Sequence, residues 1–414
     1  MKKVSILMLI FVLLAFFNLN SVGCTKIGQP EAVKEEMTGA EEKKVAEEAR
    51  VETVQPEETQ AKEKPENALT PEQLEARGAE NVKGKNFTIG IFQAAFPPWD
   101  IYQAAGALRA NELNKKYGVN IKLDVQAPAD FTDLTKHTNI IDDFVAKKVD
   151  MMIVIPVSRG SFDNVFRKAN ENNIPLGVFI TMQAPPEGAY AEWWLYVEDI
   201  EGGRSMSRQM AEALKKKNGD YVGNVTICYG VYENSWEQAI VQGMREGLSE
   251  YPGIVLVDQQ SGEWVRDKAM LRAEEWIARY GKDLDGVLTT NDEMGIGVYS
   301  ALTAAGIEKD VFVTGWDGTD EGNRYVSEGK FLAGCDLHWM ALGMQVIDLA
   351  FEVIKGNKIE PIRNSIIPTV IDSKDYADLL NKEVTTVLAG QKPDTWEKFK
   401  LFNYKQNVLG IYDE

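Results

Sequence analysis

The sequence predicts an α/β protein with parallel sheets, and three observations point to that class. Short apolar runs, which fit buried strands, alternate with amphipathic stretches of helical period from Asn86 onward. The apolar runs are continuous rather than alternating, as in strands that crossover helices cover on both faces. The chain has 414 residues, more than one ordinary domain, and the series is long enough for two sheets. We therefore expect two α/β domains.

The alternation falls into two rounds. The first has predicted strands at Phe87–Phe92, Ile121–Val125, Met151–Ile155 and Leu176–Ile180, with a helix over Ile101–Lys116. The second has predicted strands at Val225–Cys228, Ile254–Val257, Gly286–Thr290, Val311–Thr314 and Phe331–Cys335. Its predicted helices are Gly203–Lys217, Glu237–Glu250, Arg266–Tyr280 and Gly295–Ala305. Because ligands of such sheets bind beyond the carboxyl ends of the strands, the residues just after each strand are the candidates for a functional site.

The composition excludes several classes of protein. The 45 Lys and Arg against 63 Asp and Glu give a net charge of −18, which argues against a nucleic-acid partner. The mean hydropathy of −0.27 excludes a polytopic membrane protein. The two His are far apart, and without a CxxC, HExxH or phosphate-binding glycine motif we expect no metal and no cofactor. Three Cys cannot form a disulfide framework, and Cys228 and Cys335 on predicted strands are interpreted as buried apolar side chains, although export would permit a disulfide.

The amino terminus has the pattern of an export signal that ends in a lipidated cysteine. Lys2 and Lys3 precede the uncharged run Val4–Phe17, which is shorter than the roughly 20 residues that cross a bilayer as a helix. Small residues and then Cys24 follow, an order that resembles a lipobox, in which the Cys thiol carries diacylglycerol. We expect residues 1–24 to be a lipoprotein signal peptide. A plain secretory signal with an incidental Cys is the alternative.

Residues 25–85 have the composition of a spacer between a membrane and a domain. They contain no aromatic residue and no Asp, and they hold 15 Glu against 10 Lys and Arg. Such a segment cannot bury enough apolar surface to offset the entropy of ordering it. We expect a disordered acidic stalk that its charges extend, with a charged single helix over about 31–52 as the alternative.

Three strand ends carry a recognisable pattern. The sequence NDEM stands at 291–294, GWDGT stands at 315–319, and the strand TIGIF opens the body at 88–92. Together they resemble the periplasmic sugar-binding proteins of the ribose and galactose type, the solute receptors of ABC importers, over about 86–372. The specific part of the likeness is the pair NDEM and GWDGT, which a helix and a strand separate.

The resemblance implies a type I periplasmic-binding-protein fold, with two Rossmann-like lobes joined by a three-stranded hinge. The implied lobe boundaries are 86–197 with 337–366 for lobe one, and 198–336 with 367–372 for lobe two. The implied crossings between the lobes lie near 196–199, near Asp336 and near 366–371. Residues 373–414 exceed the usual family length and form a carboxyl-terminal extension, in which Lys374–Gly390 has a helical pattern.

A sugar site needs flat aromatic faces for C–H surfaces, and planar polar side chains that bond hydroxyls in pairs. Asn291 and Asp317 directly follow strands and match the family's hydroxyl ligands, so Asp292 is expected to cap the next helix. Trp99 and Trp264 lie on loops where each lobe of the family offers a stacking aromatic, and they are expected to sandwich the ligand. The weaker tryptophan candidates are Trp193, Trp194, Trp236 and Trp316.

The chain departs from the family's site at three places. Thr181-Met182 stand where Asp-Arg or Asp-Ser is usual, Pro156 replaces a polar residue, and Glu237-Gln238 replace an Arg. The loss of an acid–arginine pair implies a differently arranged ligand, such as a deoxy sugar, a polyol or a sugar-like metabolite. The residues expected to supply compensating contacts are Gln93, Asp100, Asn234, Gln238, Asp336 and His338. For His338, a hydrogen-bonded hinge or core histidine is the other interpretation.

The resemblance implies an extracytoplasmic solute receptor without catalysis. It would be a monomer held to the membrane by the lipid on Cys24, would close its hinge on a sugar or related small molecule, and would present the closed form to ABC permease subunits. A sensor that hands the closed form to a chemoreceptor or sensor kinase is the alternative. A transcription regulator would need an amino-terminal helix-turn-helix, whereas this amino terminus has the pattern of an export signal, so we do not expect a regulator. A sugar-active enzyme would need paired carboxylates such as Asp317 and Asp336, whose spacing no signature sets.

Overall fold

The structure, a computed structural model, describes residues 76–128, 133–155, 159–179, 190–357 and 363–397. The expected signal peptide with Cys24, the stalk as far as residue 75, and the chain after residue 397 lie outside these ranges. So do Pro156 and Thr181-Met182, where the sequence departs from the family pattern. No helix in the described ranges is long and apolar enough to cross a membrane.

Strands and helices alternate along the described chain. The strands are β1 (Asn86–Phe92), β2 (Asn120–Gln126), β3 (Met151–Val154), β4 (Leu176–Phe179), β5 (Trp193–Val197), β6 (Gly223–Tyr229), β7 (Ile254–Ser261), β8 (Gly286–Thr289), β9 (Phe312–Val313), β10 (Gly334–Asp336), β11 (Arg363–Ile366) and β12 (Thr369–Ile371). The helices are α1 (Pro97–Tyr117), α2 (Leu134–Lys147), α3 (Arg159–Glu171), α4 (Asp199–Asn218), α5 (Ser235–Ser249), α6 (Arg266–Tyr280), α7 (Asp292–Ala305), α8 (Asp320–Ser327), α9 (Trp339–Ile354) and α10 (Lys374–Leu388). β9 and β10 are shorter than the apolar runs that predicted them, because Thr314 and Ala333 pair only through an isolated bridge.

Two parallel sheets organise these elements and confirm the predicted α/β class. The sheet of lobe one has the order β11-β5-β4-β3-β1-β2, and the sheet of lobe two has the order β7-β6-β8-β9. Neighbouring strands in both sheets run parallel. β3 and β8 are buried along their whole length, as expected for strands with helices on both faces. Cys228 and Cys335 are buried and free, so their interpretation as apolar side chains is confirmed.

The chain passes between the two sheets near the three places that the resemblance implies. β5 ends at Val197 in the first sheet, and α4 begins at Asp199 and packs against α5 and β8 of lobe two. β10 pairs antiparallel with β12, where Cys335 lies opposite Val370. β11, three residues before β12, belongs to the first sheet. These connections form the hinge region of the molecule.

Both ends of the described chain pack against the lobes. Val82 is fully buried, and Asn81 Nδ2 donates to the Lys355 carbonyl at 2.9 Å. The last residues of the segment assigned to the stalk therefore belong to the body. At the other end, α10 packs against α8 of lobe two and α1 of lobe one. The first part of the extension thus joins the two lobes.

Candidate ligand-binding site

A cavity lies beyond the carboxyl ends of strands from both sheets, where α/β sheets bind their ligands. Its empty space measures about 710 Å³, including the part that is open to solvent. The residues that line the cavity are Phe96, Pro97, Pro98, Trp99, Asp199, Trp236, Ile240, Trp264, Thr290, Asn291, Glu293, Trp316, Asp317, Thr319, Leu337 and Trp339.

Aromatic rings form much of the apolar wall. Trp99 and Trp339 meet edge to face, with ring centroids 4.8 Å apart and an angle of 64°. Trp264 stacks on Trp236, with centroids 6.0 Å apart and an angle of 19°. Phe96 of lobe one reaches Trp264 of lobe two at a centroid distance of 5.9 Å. The aromatic wall is therefore continuous from one lobe to the other.

The buried carboxyl of Glu237 holds the ring of Trp264. Trp264 Nε1 donates to Glu237 Oε2 at 2.9 Å, and Glu237 Oε1 accepts from the Gly230 N–H at 2.6 Å and from Thr290 Oγ1 at 2.5 Å. Burial raises the pKa of Glu237 to about 7, although these hydrogen bonds favour the ionised form. A Cβ at Gly230 would lie 1.9 Å from Trp264 Nε1, so only glycine leaves room for the ring.

Asp317 lies in the cavity lining beside Trp316, on a constrained piece of backbone. Its N–H donates to the Cys335 carbonyl at 2.9 Å, and its φ of 115° is unusual for a residue other than glycine. A Cβ at Gly315 would lie 2.4 Å from Asp292 Oδ1, so the turn requires glycine at that position. Backbone in such conformations costs roughly 1–3 kcal/mol and tends to cluster at functional sites.

The cavity and its surroundings are acidic. Burial raises the pKa of Asp199 and of Asp317 well above the usual range, and the carboxyl of Glu237 adds to both effects. Burial also raises the pKa of Asp292, against the hydrogen bonds that Thr319 donates through its N–H at 2.9 Å and its Oγ1 at 2.7 Å. Within the described ranges, no ion pair involves any of these four carboxyls.

Four of the predicted contacts, Trp99, Trp264, Asn291 and Asp317, line the cavity. Asn291 also caps α7, because its Oδ1 accepts from the Met294 N–H at 2.8 Å. The expectation that Asp292 caps this helix was therefore wrong, since the Asp292 carboxyl bonds to Thr319 instead. Asn291 has a second bond, from its Nδ2 to the Trp264 carbonyl at 3.4 Å.

Four other predicted polar contacts are not among the residues that line the cavity. Asp100 is exposed on α1, and Gln238 Nε2 donates to the Tyr232 carbonyl at 2.8 Å. Gln93 and Asn234 are buried, and the whole Asn234 amide and Gln93 Oε1 have no hydrogen-bond partner in the described part of the chain. A ligand contact from these four residues stays a prediction.

Asp336 and His338 form a hydrogen-bonded pair in the hinge. His338 Nδ1 lies 3.0 Å from Asp336 Oδ2, and Tyr376 Oη donates to the same oxygen at 3.1 Å. Burial disfavours the ionised form of Asp336, but the His338 imidazole and the hydrogen bonds outweigh burial and lower its pKa. The other ring nitrogen of His338 lies 2.9 Å from Thr369 Oγ1. This geometry agrees with the interpretation of His338 as a hydrogen-bonded hinge histidine. The Asp336 carboxylate likewise bonds to residues of the hinge region.

The weaker tryptophan candidates divide into two groups. Trp236 and Trp316 line the cavity. Trp193 is buried in β5, and Trp194 packs against Phe166, with ring centroids 6.1 Å apart, so neither contributes to the lining. From the sequence, all four were equally weak candidates for a ligand contact, because the sequence does not show on which side of a strand or loop a ring lies.

Sequence reasoning did not single out Phe96, Asp199 or Trp339, which all line the cavity. Each lies within a few residues of the carboxyl end of a strand, namely β1, β5 and β10. The strand-end rule could have found them. It was not applied to Asp199 because β5, whose end precedes it, was not predicted as a strand.

Residues 100–358 match the protein family described as periplasmic binding protein domain. The match covers more than half of the chain, so the protein belongs to this family. The family consists of solute-binding proteins, and the relatives are binding proteins rather than enzymes. The predicted resemblance to periplasmic sugar-binding proteins is confirmed.

Individual relatives show the same relationship. The chain is 28% identical over 259 residues to the xylitol-binding protein of Mycolicibacterium smegmatis. The aligned region covers 61% of this chain and 70% of that protein. It is 24% identical over 265 residues to the ribose import binding protein of Escherichia coli. This aligned region covers 61% of this chain and 86% of that protein. A solute-binding protein of an ABC transporter from Actinobacillus succinogenes, solved with bound D-allose, superposes with a TM-score of 0.61. It is 24% identical over 71% of this chain and 99% of that chain, a likeness that shows the fold.

Proposed function

We propose that the protein is an extracytoplasmic solute-binding lipoprotein that captures a sugar or sugar-like molecule between its lobes and delivers it to an ABC importer. One observation carries the proposal: a cavity with aromatic walls and carboxyl groups lies between two lobes that hinge segments connect. Aromatic faces suit the C–H surfaces of a sugar ring, and carboxylates accept pairs of hydroxyl hydrogen bonds. Family membership supports an extracytoplasmic location, and the xylitol- and ribose-binding relatives support a polyhydroxylated ligand.

In this proposal each lobe supplies part of the ligand contact. Trp99 of lobe one and Trp264 of lobe two stack on the ligand, and each ring contributes about 1–3 kcal/mol through buried area and stacking. Asn291 and Asp317 of lobe two bond its hydroxyls. Because the ligand contacts both lobes, it binds the closed arrangement better than an open one and shifts the population toward closure.

Calorimetric titration with monosaccharides and polyols tests the capture step, with the full chain carrying Cys24→Ser to prevent lipidation. We expect Asp317→Ala and Trp264→Phe each to weaken binding at least about tenfold, which is 1.4 kcal/mol. Trp276→Phe is the matched control, because Trp276 is buried and its Nε1 also bonds a carboxylate, Asp258 at 3.0 Å, but it does not line the cavity. Affinity that neither site variant changes would remove this cavity from the proposal.

The anchor, the delivery step and the monomeric state need separate measurements. Radioactive palmitate should label the wild type in cells and leave Cys24→Ser unlabelled, and equal labelling would contradict lipidation. Uptake of the bound solute should require both this protein and an ABC permease; uptake that persists without the protein would favour the sensor alternative. Size-exclusion chromatography with light scattering should give the mass of one chain.

A further inference from the structure

The cavity holds more carboxyl groups than the described basic residues around it pair with. The carboxyl groups of Asp199, Glu293 and Asp317 line it, and Glu237 is buried directly behind the lining. Glu293 is paired, since Arg266 binds it through Nε and Nη2, both at 2.9 Å. The other three carboxyls have no ion-pair partner in the described part of the chain. They form an acidic cluster with no basic partner.

The sequence offers few basic groups that could reach the cavity. The residues that line it include no Lys, Arg or His. The segments 127–133, 156–158 and 180–189, which follow strands of lobe one, contain no basic residue either, although Arg159 follows the second of them at the start of α3. A buried carboxylate without a partner costs free energy, so a positive charge from outside the protein would stabilise the ionised form of this cluster.

The rings around these carboxyls suit a cation as well as an apolar surface. Six aromatic side chains line the cavity: Phe96, Trp99, Trp236, Trp264, Trp316 and Trp339. The face of an aromatic ring attracts a cation, Trp does so most strongly, and the attraction grows when the cation is desolvated. Aromatic cages of this kind bind quaternary ammonium groups. A neutral sugar would pack on the aromatic faces but would supply no positive charge to the carboxyls of the acidic cluster.

We propose that the ligand of this cavity is a small organic cation, whose ammonium group lies beside Asp317 and Asp199 and against the tryptophan faces. The inference rests on the proposed capture of a small molecule in the same cavity and narrows the chemical class of that molecule. Amino sugars, aminocyclitols and methylated ammonium compounds share the required chemistry, which is one positive charge on a compact carbon skeleton.

The electrostatics of the two carboxyls agree with this chemistry. Burial raises the pKa of Asp199 and of Asp317, because the charged form loses hydration that no basic side chain replaces. A bound ammonium group would supply the missing positive charge. Both carboxyls would then favour the ionised form. An ammonium group that carries N–H would also donate charge-assisted hydrogen bonds to them, which are roughly twice as strong as neutral ones.

The test compares compounds that match in shape and differ in charge. The full chain with Cys24→Ser is titrated calorimetrically with three pairs: D-glucosamine and D-glucose, an aminodeoxyinositol and myo-inositol, choline and 3,3-dimethylbutanol. We expect the cationic member of at least one pair to bind at least tenfold more tightly than its neutral partner. The pair that shows the preference identifies which skeleton carries the ammonium group.

Two charge-removing variants test the assigned residues. Asp317→Asn and Asp199→Asn keep the shape of the side chain, and each should reduce the preference for the cation at least tenfold. Asp320→Asn is the matched control, since Asp320 is exposed three residues beyond Asp317, and it should leave the preference unchanged. If one site variant fails to fold, the other carries the test. A preference that survives in the folded variants overturns the assignment.

The outcomes separate this inference from the proposed function. If the neutral member binds more tightly in every pair that binds, the ligand is not a cation, while capture of a small molecule by the cavity still stands. If none of the six compounds binds, the inference is overturned, while the proposed capture still stands if a monosaccharide or polyol of the earlier titration binds. A cation preference that both variants abolish supports the inference.

Discussion

The buried carboxyl of Glu237 should make the stability of the protein depend on pH, and Glu237→Gln should reduce that dependence. The side chain is fully buried and accepts hydrogen bonds from Gly230 and Trp264. Burial nevertheless raises its pKa to about 7. In the unfolded chain the pKa of a Glu carboxyl is about 4.3. The folded chain therefore holds this proton over a range of pH in which the unfolded chain has lost it.

The sign and the size of the effect follow from proton linkage. Between about pH 4.3 and 7 the unfolded chain binds fewer protons than the folded chain, so the free energy of unfolding falls as the pH rises. The contribution is fully present below the unfolded pKa and lost above the folded one. At about 1.36 kcal/mol for each pH unit, the loss is roughly 3–4 kcal/mol. The charge of Glu237 also raises the pKa of Asp199 and Asp317, so its removal flattens their contribution as well.

Urea denaturation of the full chain with Cys24→Ser at pH 5, 6, 7 and 8, followed by tryptophan fluorescence, measures this dependence. Gln can accept only one of the hydrogen bonds that Glu237 accepts from backbone and indole N–H groups. That loss costs about 1–3 kcal/mol at every pH, and it cancels when two pH values are compared. Between pH 5 and pH 8 the wild type should lose about 3 kcal/mol more than Glu237→Gln. Glu263→Gln, at an exposed position beside Trp264, is the control and should keep the wild-type slope.

Parallel pH profiles for the wild type and Glu237→Gln would refute the reasoning. They would mean that the carboxyl has the same pKa in the folded and unfolded chains, so that burial does not govern its ionisation. An equally flat profile for Glu263→Gln would also refute it, because the effect would then come from net charge rather than from burial.

Three further predictions concern packing and capping. Gly230→Ala should displace the Trp264 ring, since the new Cβ would lie 1.9 Å from Trp264 Nε1. Calorimetry should show ligand binding at least about tenfold weaker, with an unchanged far-UV circular dichroism spectrum, and unchanged affinity would contradict the geometry. Asp348→Ala should cost about 1.5–3 kcal/mol in urea denaturation, because the buried Arg109 loses the bond from its Nε to Asp348 Oδ1 at 2.6 Å but keeps Glu112, whose Oε2 lies 2.9 Å from Nη1; a loss below about 1 kcal/mol would contradict it. Asn291→Ala should lower the free energy of unfolding by about 1 kcal/mol through loss of the α7 cap, and an unchanged free energy would contradict that role. Asp292→Ala should cost more, because it removes the acceptor of two hydrogen bonds from Thr319.

The sequence alone determined the α/β class and the positions of most elements. A strand that is buried on both faces needs a short continuous apolar run, and a helix with one buried face needs apolar residues at helical spacing, so both patterns are local. The predicted helix Arg266–Tyr280 has the same bounds in the structure. Helix α9 was not predicted, because residues 339–352 are all buried and apolar residues surround the helix instead of forming a stripe.

The sequence also identified the cavity as a set of strand ends, but it could not assign roles to neighbouring polar residues. Asn291 and Asp292 have similar propensities to cap a helix, and Thr319, 27 residues further along the chain, decides between them by bonding Asp292. Asp100 was predicted as a contact beside Trp99. The helical turn of about 100° per residue directs the indole into the cavity and leaves the carboxylate exposed.

Only the tertiary structure decided which charges lack a partner. Asp199 and Asp317 are far apart in the sequence, and an acidic composition alone places neither of them in a cavity. Glu293 has the same chemistry, yet Arg266 neutralises it. Whether a carboxyl is solvated, paired or buried depends on the atoms within a few ångströms of it, and folding brings those atoms from distant parts of the chain.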